Sequence, residues 1–217
     1  MQKKALLIGA TGLTGEFVLK QLLEDADFSE ITVLTRKSLN YTHPKLKEVI
    51  VNFDSLHTYN DIIKGDTVFC CLGTTIKKAG SQEAFKKVDF EYPLEVAKIA
   101  KLNGATSYIL ITATGASKDS MIFYSRTKGE VEAAIQALHF DALHVLRPAL
   151  IIGDRKESRI GEGIARATAP LIDALMIGPF AKYKSIKAEQ IAKAMVYYSK
   201  LNTKGVFIHE NDELRKI

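Results

Sequence analysis

The chain has 217 residues, 47% of them hydrophobic and 25% charged, values ordinary for a globular protein and unlike those of disordered or membrane-embedded chains. That length fills one core well and is short for two, so residues 1–217 are expected to form a single domain. The formal net charge of +5 comes from basic residues scattered among acidic ones, which argues against a nucleic-acid partner and suits an anionic small ligand.

The opening MQKKALLIGA could begin a secretory signal, but its apolar run breaks at Gly9 and no small-residue cleavage pattern follows. No stretch approaches the roughly 18 apolar residues of a membrane span. The two cysteines, Cys70 and Cys71, are neighbours, which makes a bridge between them implausible and fits a reducing compartment. A cytoplasmic location is the expectation. No metal site is expected: the cysteines lack ligand spacing, and so do His43, His57, His139, His144 and His209, which read as surface or strand residues.

In chain order, short runs rich in Val, Ile and Leu predict strands at KALLIG, EITVLTR, KEVIVNF, DTVFCCLG, TSYILITA and ALHVLRPALII. Between them EFVLKQLLED places Val18, Leu19, Leu22 and Leu23 on one helical stripe, and EYPLEVAKIAKLNG does the same with Leu94, Val96, Ala97, Ile99 and Ala100 before an Asn103-Gly104 stop. A further helix is expected in TKGEVEAAIQAL. Apolar strands alternating with helices indicate a doubly wound α/β fold around a parallel sheet. Residues 153–186 read as a short helical C-terminal excursion above the sheet, in which 160–177 would be a lid or an oligomer contact, and GVFIHE as a last strand.

The first strand runs into GATGLTG, with Gly9, Gly12 and Gly15 where strand should become helix. A dinucleotide needs bare main chain there, because its pyrophosphate must approach the amides at a helix N-terminus. The Gly-x-x-Gly-x-x-Gly spacing departs by one residue from the tighter Rossmann fingerprint, and glycines alone also serve plain turns. About 20 residues on, an acidic residue would suit the ribose of NAD and a basic one the 2′-phosphate of NADP. Arg36 and Lys37 stand at that place, which favours NADP(H) over NAD(H).

Tyr-x-x-x-Lys spacing occurs at Tyr41 and Lys45, Tyr124 and Lys128, and Tyr183 and Lys187. A tyrosine used as acid or base needs a nearby ammonium to stabilise its phenolate, and residues i and i+4 share a helix face. Pro44 points the first pair to a loop, and no strand-end hydroxyl leads into the third. Tyr124 alone follows a sheet strand, with Thr112 and Thr114 available to bond a substrate carbonyl.

GATGLTG, CCLGTT, the Thr-rich strand end and YSRTK together resemble the short-chain dehydrogenase/reductase superfamily. CCLGTTIKKAGSQEAFKKVDFEY, FYSRTKGEVEAA and LRPALIIGDRKESRIGEG are similar to its atypical branch, typified by the Tat-interacting protein. The resemblance covers nearly the whole chain. It implies a Rossmann-like fold and hydride transfer with NADP, Tyr124 as acid or base, Lys128 lowering its pKa and holding ribose, and Thr112 as the catalytic hydroxyl, with Thr114 close behind. Gly9, Ala10, Thr11, Gly12, Leu13, Thr14 and Gly15 would surround the pyrophosphate. Arg36 and Lys37 would take the 2′-phosphate and Asp54 would approach adenine. Cys71, Leu72, Gly73 and Thr74 would line the middle of the coenzyme, and Pro148 and Leu150 would face the nicotinamide. The family's second Ser is Ala113 here, and Asp89 stands where many relatives carry Asn.

Two readings of function result: an NADP(H)-dependent oxidoreductase acting on a small carbonyl or alcohol, and a non-catalytic NADPH-binding module that senses redox state and contacts a protein partner. The oligomeric state is open.

Overall fold

The computed structural model describes residues 2–153 and 183–217. Strands form at the apolar runs: β1 (Lys3–Ile8), β2 (Phe28–Thr35), β3 (Leu46–Ile50), β4 (Thr67–Cys70), β5 (Ser107–Ile111), β6 (Ala142–Arg147), β7 (Ile151–Ile152), β8 (Ile186–Lys187) and β9 (Gly205–Glu210). Helices are α1 (Leu13–Glu24), α2 (Ile76–Ala79), α3 (Gln82–Lys86), α4 (Tyr92–Leu102), α5 (Phe123–Gln136), α6 (Ala188–Lys200) and α7 (Asn211–Leu214). Seven strands make one parallel sheet in the order β3-β2-β1-β4-β5-β6-β9. Strand order reverses between β1 and β4, and that switch point opens the crevice where ligands bind in doubly wound folds.

Both faces of the sheet are covered, which is why its strands are apolar without alternation. On one face Leu7, Val33, Ile109 and Leu146 pack with Val18 and Leu22 of α1 and Ile191 and Met195 of α6. On the other, Leu6, Ile8, Val68 and Val145 pack with Val96 and Ala100 of α4 and Val131 and Ile135 of α5. Full burial of each such side chain stabilises by about 1.5–3 kcal/mol. Helix α4 stops at Asn103 because Gly104 takes φ +89°, and the Gly104 and Ala105 amides close back on the Lys101 and Ala100 carbonyls.

Two local expectations change. The strand expected over ALHVLRPALII ends at Arg147, because Pro148 has no amide to give the ladder. The chain resumes only as β7, paired with β8 in a separate ribbon. Thr112 and Thr114 lie beyond the end of β5, although their amides still reach the Leu146 and Pro148 carbonyls. The helical excursion, 160–177 included, lies outside the described residues apart from its ends. At one of these, a Cβ on Gly153 would press into the Leu13 side chain at 2.9 Å.

Candidate active site

The first crossover is built by main chain. Gly9 has φ +83°, and a Cβ there would lie 2.5 Å from the Cys71 carbonyl, so β1 and β4 close on each other only over glycine. A Cβ on Gly15 would overlap the Gly9 carbonyl. Gly12 serves as N-cap of α1, and no side chain caps it. The turn therefore offers the positive end of α1 and its first amides to an anion, with Thr11 and Gly12 exposed. Ala10 is buried in the core. This bare backbone fits a pyrophosphate.

A cleft of about 180 Å³ continues from that turn. Gly12, Leu13 and Thr14 line it from α1, Cys71 to Thr75 from the end of β4, and Thr112, Tyr124 and Lys128 from the far side. Ile111, Ile151 and Asp89 complete it. Sequence reasoning placed none of those three at the site, although Ile151 lies one residue past the expected Leu150. Leu150 instead is 53% exposed, and Pro148 is buried and hydrogen-bonds through its carbonyl to Thr114, so neither lines the cleft.

Of the three Tyr-x-x-x-Lys spacings, one reaches the cleft. Tyr41 lies in an exposed loop and Lys45 caps the Asp25 carbonyl. Tyr183 is exposed and Lys187 is the N-cap of α6. Tyr124 occupies the first turn of α5, its ring 5.7 Å from that of Phe85. Gly129 explains how this turn is held. A Cβ there would overlap the backbone of Ser117 and Lys118, so the loop after β5 lies directly on the helix, and Arg126 ties the Ser120 and Met121 carbonyls to it.

Lys128 is almost fully buried and its Nζ lies 2.7 Å from Oδ1 of Asp89. Burial works to lower the Lys128 pKa, but Asp89 and Tyr124 outweigh it and the ammonium is held above its ordinary value. Burial pushes the Asp89 carboxyl up, opposed by Lys128 and by the Thr74 amide, which donates to Oδ2 at 2.9 Å. Removing one partner of such a buried pair typically costs about 3–5 kcal/mol, because the other charge is stranded.

The threonines are less free than expected. Thr112 is buried and donates to the Glu132 carboxylate at 2.5 Å, and Arg147 binds Glu132 through Nε and a terminal nitrogen at 3.1 and 2.6 Å. Thr114 donates to the Arg147 carbonyl at 2.9 Å. Glu132 lies one turn beyond Lys128 on α5. The i+4 spacing was visible in the sequence, but its use was not.

Away from the cleft, Arg36 and Lys37 are exposed just past β2. Asp54, also exposed, accepts from Lys87 at 2.7 Å and from Tyr92 at 2.8 Å, and these donors hold its carboxyl below its ordinary value. Arg36 lies near enough to Tyr92 to act on it electrostatically. Lys87 and Tyr92 bracket a π turn over Lys87–Glu91, closed by the Tyr92 amide on the Lys87 carbonyl. Such a turn is invisible to helical periodicity.

No family model matches the chain. Among curated proteins, Protein HTATIP2 of Rattus norvegicus is 41% identical over 171 residues, covering 76% of this chain and 70% of that protein. Protein FMP52, mitochondrial, of Candida albicans is 32% identical over 223 residues, covering 97% and 96%. The chain belongs to their family, of the atypical short-chain dehydrogenase/reductase type. Solved structures of that broader fold agree in shape. MoeE5 in complex with UDP-glucose and NAD has a TM-score of 0.71 at 15% identity, over 94% of this chain and 74% of that one. A short chain dehydrogenase family protein from Francisella tularensis has a TM-score of 0.67 at 14% identity, over 99% and 100%.

The family also corrects one expectation. Several relatives at 31–36% identity are named mitochondrial, against the cytoplasmic location expected from the sequence. Adjacent cysteines argue only against an oxidising compartment, and they do not separate one reducing compartment from another. Among the described residues, no helix is long and apolar enough to cross a membrane.

Proposed function

We propose that the protein is an NADP(H)-dependent oxidoreductase acting on a small carbonyl or alcohol. The reading rests on one observation: Tyr124 and Lys128 line the same cleft as the glycine turn of α1 and the Leu72–Thr74 segment. Gly9 to Gly15 would hold the pyrophosphate on main-chain amides, Cys71 to Thr74 the middle of the coenzyme, and Arg36 with Lys37 a 2′-phosphate. Bound there, the coenzyme would supply or accept the hydride. Tyr124 would give or take the proton at the substrate oxygen, and the Lys128 ammonium beside it would stabilise the phenolate. Of the other expected positions, Asp54 would approach adenine, and Pro148 and Leu150 stand back from the cleft. Residues 1–217 form one domain in this reading.

The Thr112 hydroxyl favours a second reading. Its proton goes to Glu132, so it cannot also be donated to a substrate carbonyl, as a catalytic hydroxyl would require. An NADPH-binding redox module with a protein partner would need no such donor.

The two separate on one measurement, the loss of reduced coenzyme with a panel of aldehydes, ketones and quinones. The enzyme reading expects turnover that falls at least about 100-fold in Tyr124→Phe while NADPH affinity is kept. Tight NADPH binding without turnover on any compound would move the assignment to the module.

A further inference from the structure

The two oxygens of Asp89 face two different donors. Oδ1 pairs with the Lys128 ammonium as an ion pair at 2.7 Å, without hydrogen-bond geometry, and Oδ2 accepts the Thr74 amide at 2.9 Å. The carboxylate is 1% exposed and Lys128 is 5% exposed, so water does not screen the contact. An asparagine in the same place would turn an NH₂ towards one of the two donors and could satisfy only the other. The position thus requires a side chain that only accepts, which accounts for aspartate where the sequence resemblance leads one to look for asparagine. The π turn brings this carboxylate to the cleft. Gly73 adjoins the pair: a Cβ on that glycine would lie in ordinary contact with it, 3.5 Å from Oδ1 and 3.8 Å from Nζ.

We propose that Asp89 is the positioning residue of the site, a clamp that keeps Lys128 charged and aimed while fixing the Leu72–Thr74 segment over it. The inference rests on the reading of Lys128 as the partner of Tyr124 and the coenzyme. Among the described residues, three titratable groups act on the ammonium: Asp89 from the π turn, Tyr124 from the preceding turn of α5, and Cys70 from β4. Burial disfavours the charged form, so without Asp89 the lysine should lose its proton at lower pH than in the native protein. Both Asp89 oxygens are turned to protein groups, the Lys128 ammonium and the Thr74 amide. The residue acts on the site through these two groups.

The test uses the full chain without coenzyme. Lysine side-chain carbons are followed by NMR up to about pH 10, with Lys128→Met assigning the Lys128 signal. In native protein that signal stays in its ammonium position throughout. In Asp89→Asn and Asp89→Ala it titrates within the scan. A Lys128 titration that coincides with the native one in both variants overturns the clamp. Thermal unfolding supplies a second reading that does not depend on the NMR signal. Asp89→Asn should lower the melting temperature clearly with Lys128 present and much less in the Lys128→Met background, because the stranded charge is then gone. Equal losses in the two backgrounds overturn the clamp as well. NADPH calorimetry at alkaline pH then tests the coenzyme reading separately, with about tenfold weaker binding expected in Asp89→Asn. Should native protein give no heat with NADPH while Lys128 still titrates early in the variants, the clamp stands and the coenzyme reading fails.

Discussion

The two ends of the cleft are made of different materials. The first crossover, from β1 into α1, is shaped by main chain packed against main chain, with Gly9, Gly15 and the Cys71 carbonyl in mutual contact and, among the described residues, no buried charge. The opposite wall and the sheet behind it, from β5 through α5 to β6 and β9, hold their shape through buried polar pairs. These are Lys128 with Asp89, Glu132 with Arg147 and Thr112, and His144 with His209. One end should therefore fail by overlap and be indifferent to pH. The other should fail by stranding charge and be sensitive to it.

The largest effect is expected from breaking the first end. Gly15→Val places a branched side chain where even a Cβ overlaps the Gly9 carbonyl. The expected result is a loss of about 3 kcal/mol or more, equal at pH 5 and pH 8, and no calorimetric signal with NADPH. A pH-dependent loss would mean that this end, too, depends on ionised groups.

A smaller effect sharpens the same contrast at the exposed rim. Arg36→Glu should weaken NADPH binding by about 100-fold and NADH binding by severalfold at most, since a charge-assisted hydrogen bond is lost and a repulsion gained. The difference should shrink as salt rises, because the residue is exposed. Equal losses for the two coenzymes would remove Arg36 from the 2′-phosphate.

The smallest effect lies at the far end. His144 is buried, stacked between Tyr198 and Phe207, and 3.0 Å from His209. Burial, with a lesser contribution from His209, depresses its pKa to about 4 from 6.5. A histidine lowered in the folded state binds fewer protons there than in the unfolded chain, so its contribution is fully present above about pH 6.5. It is lost as pH falls towards 4. Across that window about 2 kcal/mol of unfolding free energy should disappear, and His144→Phe should flatten the slope. Urea unfolding at pH 7 and pH 4.5 measures it. A slope unchanged by His144→Phe would assign the acid sensitivity to other groups.

The same division explains what the sequence disclosed. The glycine turn was legible because its determinants are consecutive and its cause is steric, and so were the apolar strands and the stop at Gly104. Tyr124 was singled out because it follows β5, which Tyr41 and Tyr183 do not. The charge pairs were not legible. Asp89 meets Lys128 only through a π turn that shifts the helix register, and Glu132 takes the proton of Thr112 across the α5–β5 contact. His144 and His209 come together only when β6 and β9, far apart in sequence, pair in register. Spacing rules see one element at a time, and each of these contacts joins two. The break at Pro148 could have been read from the residue itself. The apolar residues on either side obscured it.

The π turn at Lys87–Glu91 carries a consequence for how this protein can vary. Deleting a single residue there would restore ordinary winding and rotate everything on one side of the cut by about 100° relative to the other. Asp89 and Tyr92 could not then both keep their present partners, Lys128 in the cleft and the exposed Asp54 outside it. Surface loops can drift in length over evolutionary time, but this stretch is a fixed-length spacer, and an indel inside it should disturb the buried pair and the exposed one at once.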